Sequence, residues 1–406
     1  MGVLEGFWIR NFKSLKQVGI GTCFPKFVYI DDETQVLPYP LDSVTLLIGN
    51  AGTGKSSALD AFSFVSDCYR HGVDFACSKR GGFDALYSHG GKGSLSFGFH
   101  YRQHEELEAV TYALSVVCTK NKVPFIESEL LAYQRGKESL PIFFLQNGTR
   151  SIRYLAPDER IGNIELTKIE FTDFRNLGLA SLESHPRFPV LAALRNLFEN
   201  GVLSDFTPDP ARGLDRSLPR RHESPRGMNL SGLIGYVLNH YGSECKNLFQ
   251  RIAPLIPNVE NILIDSTQTD KPLLTFKMSG SKQPVPITLL STGTIRLLAY
   301  TILLEENDPA PLIILEEPEN GLDQLHRWKL LEHIHQVVDN SQNSQLLMTT
   351  HHSDIADSLY PSQVWVFEKN QEGFTVVERA SDALVIQEMM ESNQPIEPSW
   401  FSKQFL

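Results

Sequence analysis

The sequence is short of what disulfide-stapled, zinc-bound or membrane-spanning proteins are made from. Its five cysteines among 406 residues (Cys23, Cys68, Cys77, Cys118 and Cys245) are odd in number, widely spaced and never paired as C-x-x-C. That is poor spacing for a zinc site or a disulfide framework, so reduced and mostly buried thiols are expected. No apolar run approaches the roughly 20 residues that cross a bilayer, so no membrane role is expected. Met1 to Arg10 carries Glu5 and shows no basic-then-apolar leader, which makes the cytoplasm the expected location. Cations are outnumbered, with 37 Lys and Arg against 48 Asp and Glu and a net charge of −11. A protein that coats nucleic acid without specificity needs the opposite balance, because it must neutralise phosphates. Internal repeats and heptad arrays are also missing, so no long coiled coil is expected.

What is present reads as an ordinary globular α/β chain, 41% hydrophobic and 21% charged, long enough for one large domain with an insertion. Leu41 to Ile48 is a β-branched and apolar run, as in a strand buried on both faces. Ser56 to Tyr69 then places Leu59, Phe62, Phe64 and Val65 at helical spacing. Between about 94 and 156 the period falls to two. Leu95, Phe97, Phe99 and Tyr101 alternate with Ser94, Ser96, Gly98 and His100, which predicts antiparallel strands with one wet face. Helical patterns follow over Val190 to Phe198 and Leu230 to Phe249, and strand-like runs near 259–265 and 272–278. Alternation of helix and strand then resumes: helix at 293–306, strand at 312–315, helix at 323–338, strand at 345–349, and a strand pair at Val364–Phe367 and Phe374–Val377. Short strands alternating with helices imply a mostly parallel, doubly wound sheet. The expected divisions are a lobe over 1–160, a mainly helical insertion over 161–285, and a second lobe over 286–406.

Gly49-Asn50-Ala51-Gly52-Thr53-Gly54-Lys55-Ser56 fits G-x-x-x-x-G-K-[ST] in full. Its glycines let main-chain N–H groups turn inward around phosphates, and the following helix adds the positive end of its dipole. Lys55 would reach the β/γ-phosphates and the Ser56 hydroxyl a magnesium position. Leu312-Ile313-Ile314-Leu315-Glu316-Glu317-Pro318 is an apolar strand ending in two acids. In a phosphate-loop protein the first holds the magnesium shell and the second polarises the attacking water. Here the first is Glu316, one methylene longer than the usual aspartate. Ser291, Thr292, Gly293 and Thr294 open a helix that reads as amphipathic, either a plain N-cap or a second anion site. Asn320-Gly321-Leu322-Asp323 follows the acid pair, and Thr349-Thr350-His351-His352 follows the next strand.

This ordered set resembles the SMC/RecF-like branch of ABC-type ATPases, and Trp8-Ile9-Arg10-Asn11-Phe12-Lys13-Ser14-Leu15 is similar to that branch's opening strand. The segments IRNFKSL, LSTGTIRLLAY, EEPENGLD and TTHHSDIAD resemble, more narrowly, the standalone bacterial ATPases of phage-defence and abortive-infection modules, in which a Glu-Glu pair is common. The resemblance implies an ABC-type head that binds and hydrolyses ATP with Mg²⁺ and closes its site across a head-to-tail dimer. It implies that Arg10, Asn11, Lys13, Asn50, Gly52, Gly54, Lys55, Ser56 and Ser57 meet the nucleotide. Ser291 and Gly293 would dock on the γ-phosphate held by the other copy, with Asp323 in the D-loop. Glu316 joins Ser56 at the metal, Glu317 is the catalytic base, and His351, with His352 as the alternative, is the switch histidine. The implied output is control of a separately encoded effector such as a nuclease or toxin.

The resemblance has edges. No convincing Q-loop glutamine is present: Gln103 is a poor candidate, and Ser88 or His89 stands in that place. About 55 residues follow His351, too few for the Toprim nuclease of the overcoming-lysogenisation-defect relatives. Two other readings stay open, a RecF-like DNA-repair ATPase that binds DNA directly and an ATP-sensing scaffold with negligible hydrolysis. The cation-rich segment Arg212, Arg216, Arg220, Arg221, His222 and Arg226, broken by prolines, is either a solvated loop or a contact for nucleic acid or an acidic partner.

Overall fold

The computed structural model describes residues 2–22, 39–88, 93–103, 109–135, 138–146, 149–153, 166–168, 175–181, 189–204, 237, 245–265, 273–305, 310–340, 344–391 and 400–405. Two units emerge, one of Met1–Gly201 with Gln345–Leu406 and one of Val202–Ser344. The arginine-rich segment, His89 and Cys23 lie outside the described residues.

In the first unit the period-two alternation produces an antiparallel sheet. Its strands run, edge to edge, Leu15–Gly21, Val3–Phe12, Leu95–Arg102, Val110–Cys118, Pro124–Arg135, Glu138–Gln146, Thr149–Arg153 and Leu166–Lys168. The expectation of one wet face is corrected here: Ser96, His100, Thr111 and Ser115 are as buried as the phenylalanines. Gly98 is the enabling residue, since a Cβ there would sit 1.9 Å from the indole nitrogen of Trp8, its cross-strand partner. Alternation alone cannot tell a wet polar face from a covered one. Once covered, the polar groups must pair, and they do so across strands. Ser96 Oγ lies 3.1 Å from Ser115 Oγ, His100 Nδ1 lies 3.1 Å from Thr111 Oγ1, and His100 Nε2 reaches Glu5 at 3.1 Å. Burial raises the Glu5 carboxyl, but hydrogen bonds from His100 and Arg102 outweigh it and hold the group below its ordinary pKa.

The apolar face of the same sheet carries the helix Lys55–His71 through an aromatic seam. Phe64 meets Phe97 at 5.1 Å and Phe12 at 5.6 Å, and Phe62 meets Phe99 at 5.5 Å between ring centroids. Phe198, from the helix Pro189–Asn200, closes the seam against Phe99 at 5.3 Å and Tyr112 at 5.6 Å. The helix is buried nearly all round, including Asp60, Ser63, Ser66 and Asp67, so its polar side needs partners too. Arg80 supplies most of them. Its guanidinium, 1% exposed, bonds Asp60 at 3.0 Å, Asp67 at 2.7 Å, Ser63 Oγ and the Ala76 carbonyl. Lys79 adds a second cation on Asp67, and Lys13 a second on Asp60. Burial pushes the nearby Cys77 thiol up to about 12 and Cys68 well above its ordinary value, so both thiols stay protonated and inert.

The same unit holds a small parallel sheet, ordered Gln345–Thr350, Val44–Ile48 and Val364–Lys369, with Thr375–Arg379 antiparallel at its edge. Val44–Ile48 and Gln345–Thr350 are buried at every position, which explains why their sequences are continuous apolar runs. The buried Gln345 amide donates to the Leu4 carbonyl at 3.0 Å and accepts the Leu4 N–H at 2.6 Å, tying this sheet to the first strand.

In the second unit Val202–Ser204 pairs in parallel with Leu312–Glu316. Val259–Asp265, Leu273–Met278 and Val285–Pro286 form an antiparallel sheet. The helices are Cys245–Ile252, Thr292–Glu305 and Gln324–Asn340. Thr292–Glu305 departs from the amphipathic reading, because every residue from Gly293 to Leu304 except Arg296 is buried. In neither unit is a described helix long and apolar enough to cross a membrane.

Arg80→Met should leave Asp60 and Asp67 buried with too little counter-charge, a loss of about 3–5 kcal/mol in urea titration followed by tryptophan fluorescence. Lys79→Ala, at the more exposed end of the network, should cost about 1 kcal/mol or less. Equal costs would show that the guanidinium is not what neutralises the helix.

Candidate functional site

The candidate residues divide between the two units. On the first, the strand Val44–Ile48 stops at Gly49 because the chain must turn against neighbouring backbone: a Cβ there would lie 2.2 Å from the Phe367 carbonyl oxygen. Gly52 and Gly54 take φ of +79° and +109°, a region that other residues enter only with strain. These values roll the main chain into a nest that ends at the N-terminus of Lys55–His71, where main-chain N–H groups and the helix dipole favour an anion. Asn50, Ala51, Gly52 and Ser56 are exposed along the loop, while Lys55 is buried. Its ammonium donates to the carbonyls of Gly49 at 2.6 Å and Asn50 at 3.1 Å, so the cation sits inside the loop rather than out in solvent.

Loop shape is fixed from outside as well. Thr53 Oγ1 donates to the Asn50 carbonyl at 2.8 Å. Buried Thr375, 322 residues downstream, donates its hydroxyl to the Thr53 carbonyl at 2.6 Å and receives Lys369 Nζ at 3.1 Å. A Cβ on Gly54 would meet Thr375 Oγ1 at 2.7 Å, Leu15 Cδ2 at 2.9 Å and Ser14 Oγ at 3.0 Å. The motif thus accounts for Gly54 twice, by backbone angle and by lack of room. Ser14 also reaches Ser57, Oγ to Oγ 3.5 Å. Lys369 and Thr375 carried no signal in the sequence, because nothing in their own neighbourhoods marks them, whereas Ser14 lies in the opening segment already singled out.

The basic opening segment is placed beside this loop's helix. Arg10 is half-buried at the end of the first strand. Asn11 and Lys13 adopt φ of +58° and +53° through the turn. Asn11 is buried and its amide donates to the Ser94 carbonyl at 3.1 Å, whereas Lys13 binds Asp60 at 2.6 Å and remains one-third exposed. Ser88, offered by the sequence for the Q-loop position, is buried with its N–H on the Asn11 carbonyl, and Gln103 is half-buried at the end of an antiparallel strand. At the end of Gln345–Thr350, His351 is exposed and His352 half-buried, their rings 4.3 Å apart. The His352 N–H donates to Thr350 Oγ1 at 3.0 Å.

On the second unit, Glu316 ends its strand half-buried, and Glu317 takes φ of +42°, uncommon for a non-glycine residue. The conformation is held by Asn320, whose N–H bonds the Glu317 carbonyl at 3.0 Å and whose amide donates to Glu317 Oε2 at 2.6 Å. Arg296 in turn donates to the Asn320 carbonyl. Ser291 is the N-cap of Thr292–Glu305, its Oγ accepting the Thr294 N–H at 3.1 Å. Gly293 lies under the next turn, where a Cβ would be 3.3 Å from the Gly321 carbonyl. Asp323 caps Gln324–Asn340 and accepts both the N–H and the ring nitrogen of His326, which hold its carboxyl below the ordinary range. The quoted motifs contained Asn320 and Arg296 without giving them a role, and His326 lay outside them; the three-residue spacing of Glu317 to Asn320 and of Asp323 to His326 was the available sign.

Among curated proteins none matches the chain. Among solved structures, it is similar to the Smc head domain with an extended coiled coil bound to the C-terminal domain of ScpA, derived from Pyrococcus furiosus. That match has 13% identity, covers 96% of this chain and 100% of that one, and has a TM-score of 0.54. It is also similar to a SmcHead bound to the C-winged helix domain of ScpA, at 13% identity, with 94% and 100% covered and a TM-score of 0.52. At such identity the likeness is one of fold. A family model described as "AAA domain, putative AbiEii toxin, Type IV TA system" matches residues 44–357, a span that takes in the phosphate loop, the turn Ser291–Thr294 (the signature turn of the resemblance), the acid pair and His351. The chain belongs to that family, and its fold is that of an SMC head domain.

Proposed function

We propose that the chain is an ATP-hydrolysing switch whose nucleotide sites are completed by a second copy, and that its closed state controls a separately encoded effector. The observation that carries this is the phosphate loop, with Gly52 and Gly54 at positive φ and the Lys55 ammonium drawn inside. Such a cradle takes a triphosphate in preference to a neutral ligand, because its donors are main-chain N–H groups and one fixed cation. The effector is the family's contribution to the reading, through the toxin–antitoxin description that the matching model carries.

In this reading Lys55 holds the β/γ-phosphates, the nest from Asn50 to Gly54 wraps them, and Ser57 with Arg10, Asn11 and Lys13 serves the α-phosphate and nucleoside side. Glu317 orients and polarises the attacking water, and the Asn320 amide on its Oε2 keeps the carboxylate aimed. Ser56 presents an exposed hydroxyl and Glu316 a half-buried carboxylate, hard oxygen donors that suit Mg²⁺. When bound, the ion would neutralise charge building on the phosphate oxygens. Ser291 and Gly293 dock on the phosphate held by the other copy, with Asp323 beside them, and His351 or His352 senses the γ-phosphate.

Lys55→Ala should abolish ATP binding, since the loop loses its cation; titration with a fluorescent ATP analogue showing wild-type affinity would sink the assignment. Glu317→Gln keeps shape but cannot accept a proton, so turnover should drop on the order of 10²-fold or more while binding persists. A stable ATP-bound dimer should then be isolable by gel filtration. Glu316→Gln should instead weaken magnesium dependence, and if it traps the dimer while Glu317→Gln turns over normally, the two roles are reversed. Ser291→Arg should spare ATP binding and block dimer closure, read by light scattering with and without ATP. An ATP-dependent dimer that persists in this variant speaks against the composite site.

A further inference from the structure

A hydrogen-bond relay joins the signature turn to the D-loop turn, and its donor directions are fixed by elementary chemistry. Asp323 Oδ1 lies 2.8 Å from His326 Nδ1 and 2.9 Å from the His326 main-chain nitrogen. An ionised carboxylate only accepts, so Nδ1 carries the ring proton. On a neutral imidazole Nε2 is then a bare acceptor. Its partner, 3.3 Å away, is the buried hydroxyl of Thr294, which must donate. Thr294 Oγ1 lies 2.8 Å from Ser291 Oγ. With its own proton spent on the ring, Thr294 can only accept there, and Ser291 must donate inward. Ser291 Oγ also accepts the Thr294 N–H. A neutral His326 therefore leaves exposed Ser291 showing a lone pair to the outside, which repels a phosphate oxygen.

A proton on Nε2 reverses every direction. The ring donates to Thr294 Oγ1, Thr294 turns its proton to Ser291 Oγ, and the Ser291 proton is released outward as a donor. Building on the reading of Ser291 as the phosphate-docking group, we propose that His326 is a positioning residue. Through Thr294 it sets the polarity of the Ser291 hydroxyl, so that docking a phosphate oxygen on Ser291 draws one proton from solvent onto His326. No heavy-atom bond is made or broken. The ring is 8% exposed. Charged groups on its own turn and helix include Asp323, Glu317, Glu319 and Arg327, with the Lys329–Glu332 pair further along. From the signature helix comes Arg296, whose guanidinium is anchored on the Asn320 carbonyl. Asp323 is the one that bonds the ring, at 2.8 Å.

The sign follows. Docking prefers the protonated ring, so assembly takes up a proton and weakens as pH rises. The test is assembly of the full chain driven by a non-hydrolysable ATP analogue with magnesium, followed by analytical ultracentrifugation from pH 6 to 8.5. Wild type should weaken by about tenfold per pH unit per site on the alkaline limb. Thr294→Val replaces the hydroxyl by a methyl of the same shape and frees Ser291 to turn outward at any pH, and His326→Gln cannot titrate. Both should lose that slope, while titration of the nucleotide phosphate itself is common to all three proteins. Parallel profiles in the three proteins would overturn the proposal.

A measurement on wild type alone guards against a variant that does not fold. The His326 ring carbon resonances should report a higher pKa with the analogue bound than without it, and an unchanged or lower value overturns the proposal. Absence of analogue-driven assembly in wild type at every pH, matching Lys55→Ala, would instead overturn the ATP-switch reading and take this proposal with it. Assembly that ignores pH overturns this proposal alone.

Discussion

The close approach of two hairpins to Gly54 is the constraint on which the first unit depends. Ser14 and Leu15 come from the turn of the first hairpin and Thr375 from the last, and all three stand where a Cβ would have to be. The Thr375 hydroxyl then takes hold of the loop through the Thr53 carbonyl. The nest is therefore not a free loop that folds around its ligand. It is a clamped turn whose donors already point inward, and clamping removes the ordering cost that a flexible loop would incur on binding. The aromatic seam and the Arg80 network serve the same end, because they fix the helix whose first turn is one wall of the nest.

How legible was this in the residues? The strands Val44–Ile48 and Leu312–Glu316 and the helix Lys55–His71 were readable because burial on both sides writes itself as an unbroken apolar run or a tight glycine turn. The phosphate loop was readable because its geometry tolerates so few residues. Three things were not. Ser96 and His100 look like a wet face, since alternation has the same period whether water or protein covers it. Thr292–Glu305 looks amphipathic because Thr294 and Arg296 are polar, yet Thr294 is buried with its hydroxyl bonded to Ser291 and His326. Thr375 is invisible because its partner, Thr53, is 322 residues away, and Lys369 because it acts through Thr375.

The second unit shows how a motif can hide a second layer. Motif reading picked out Glu317, Ser291 and Asp323 as separate elements of a known order. The structure ties them to one another: Glu317 to Asn320 and on to Arg296, Ser291 to Thr294 and through His326 to Asp323. Arg296 and Thr294 sit two residues apart on one helix and make both connections. A shift of that helix thus moves the hydroxyl at the signature turn and the carboxylate after the strand together. The strained φ of Glu317 is consistent with a residue held for its direction rather than for local comfort.

In the switch we propose, the two anion sites differ in a way that bears on control. In the phosphate loop the donors are peptide N–H groups and an ammonium, whose polarity cannot be inverted at neutral pH. At the signature turn the exposed donor is a hydroxyl, which gives or accepts according to what lies behind it. The first kind of site binds whenever ligand is present. The second binds only when its relay is set, and the relay here ends on an imidazole, the side chain whose ordinary pKa lies nearest neutrality. A chain that loaded nucleotide and closed by the same fixed donors would have nothing to regulate. Separating a permanent cradle from a reversible latch lets loading and closure respond to different conditions, which is what a switch requires.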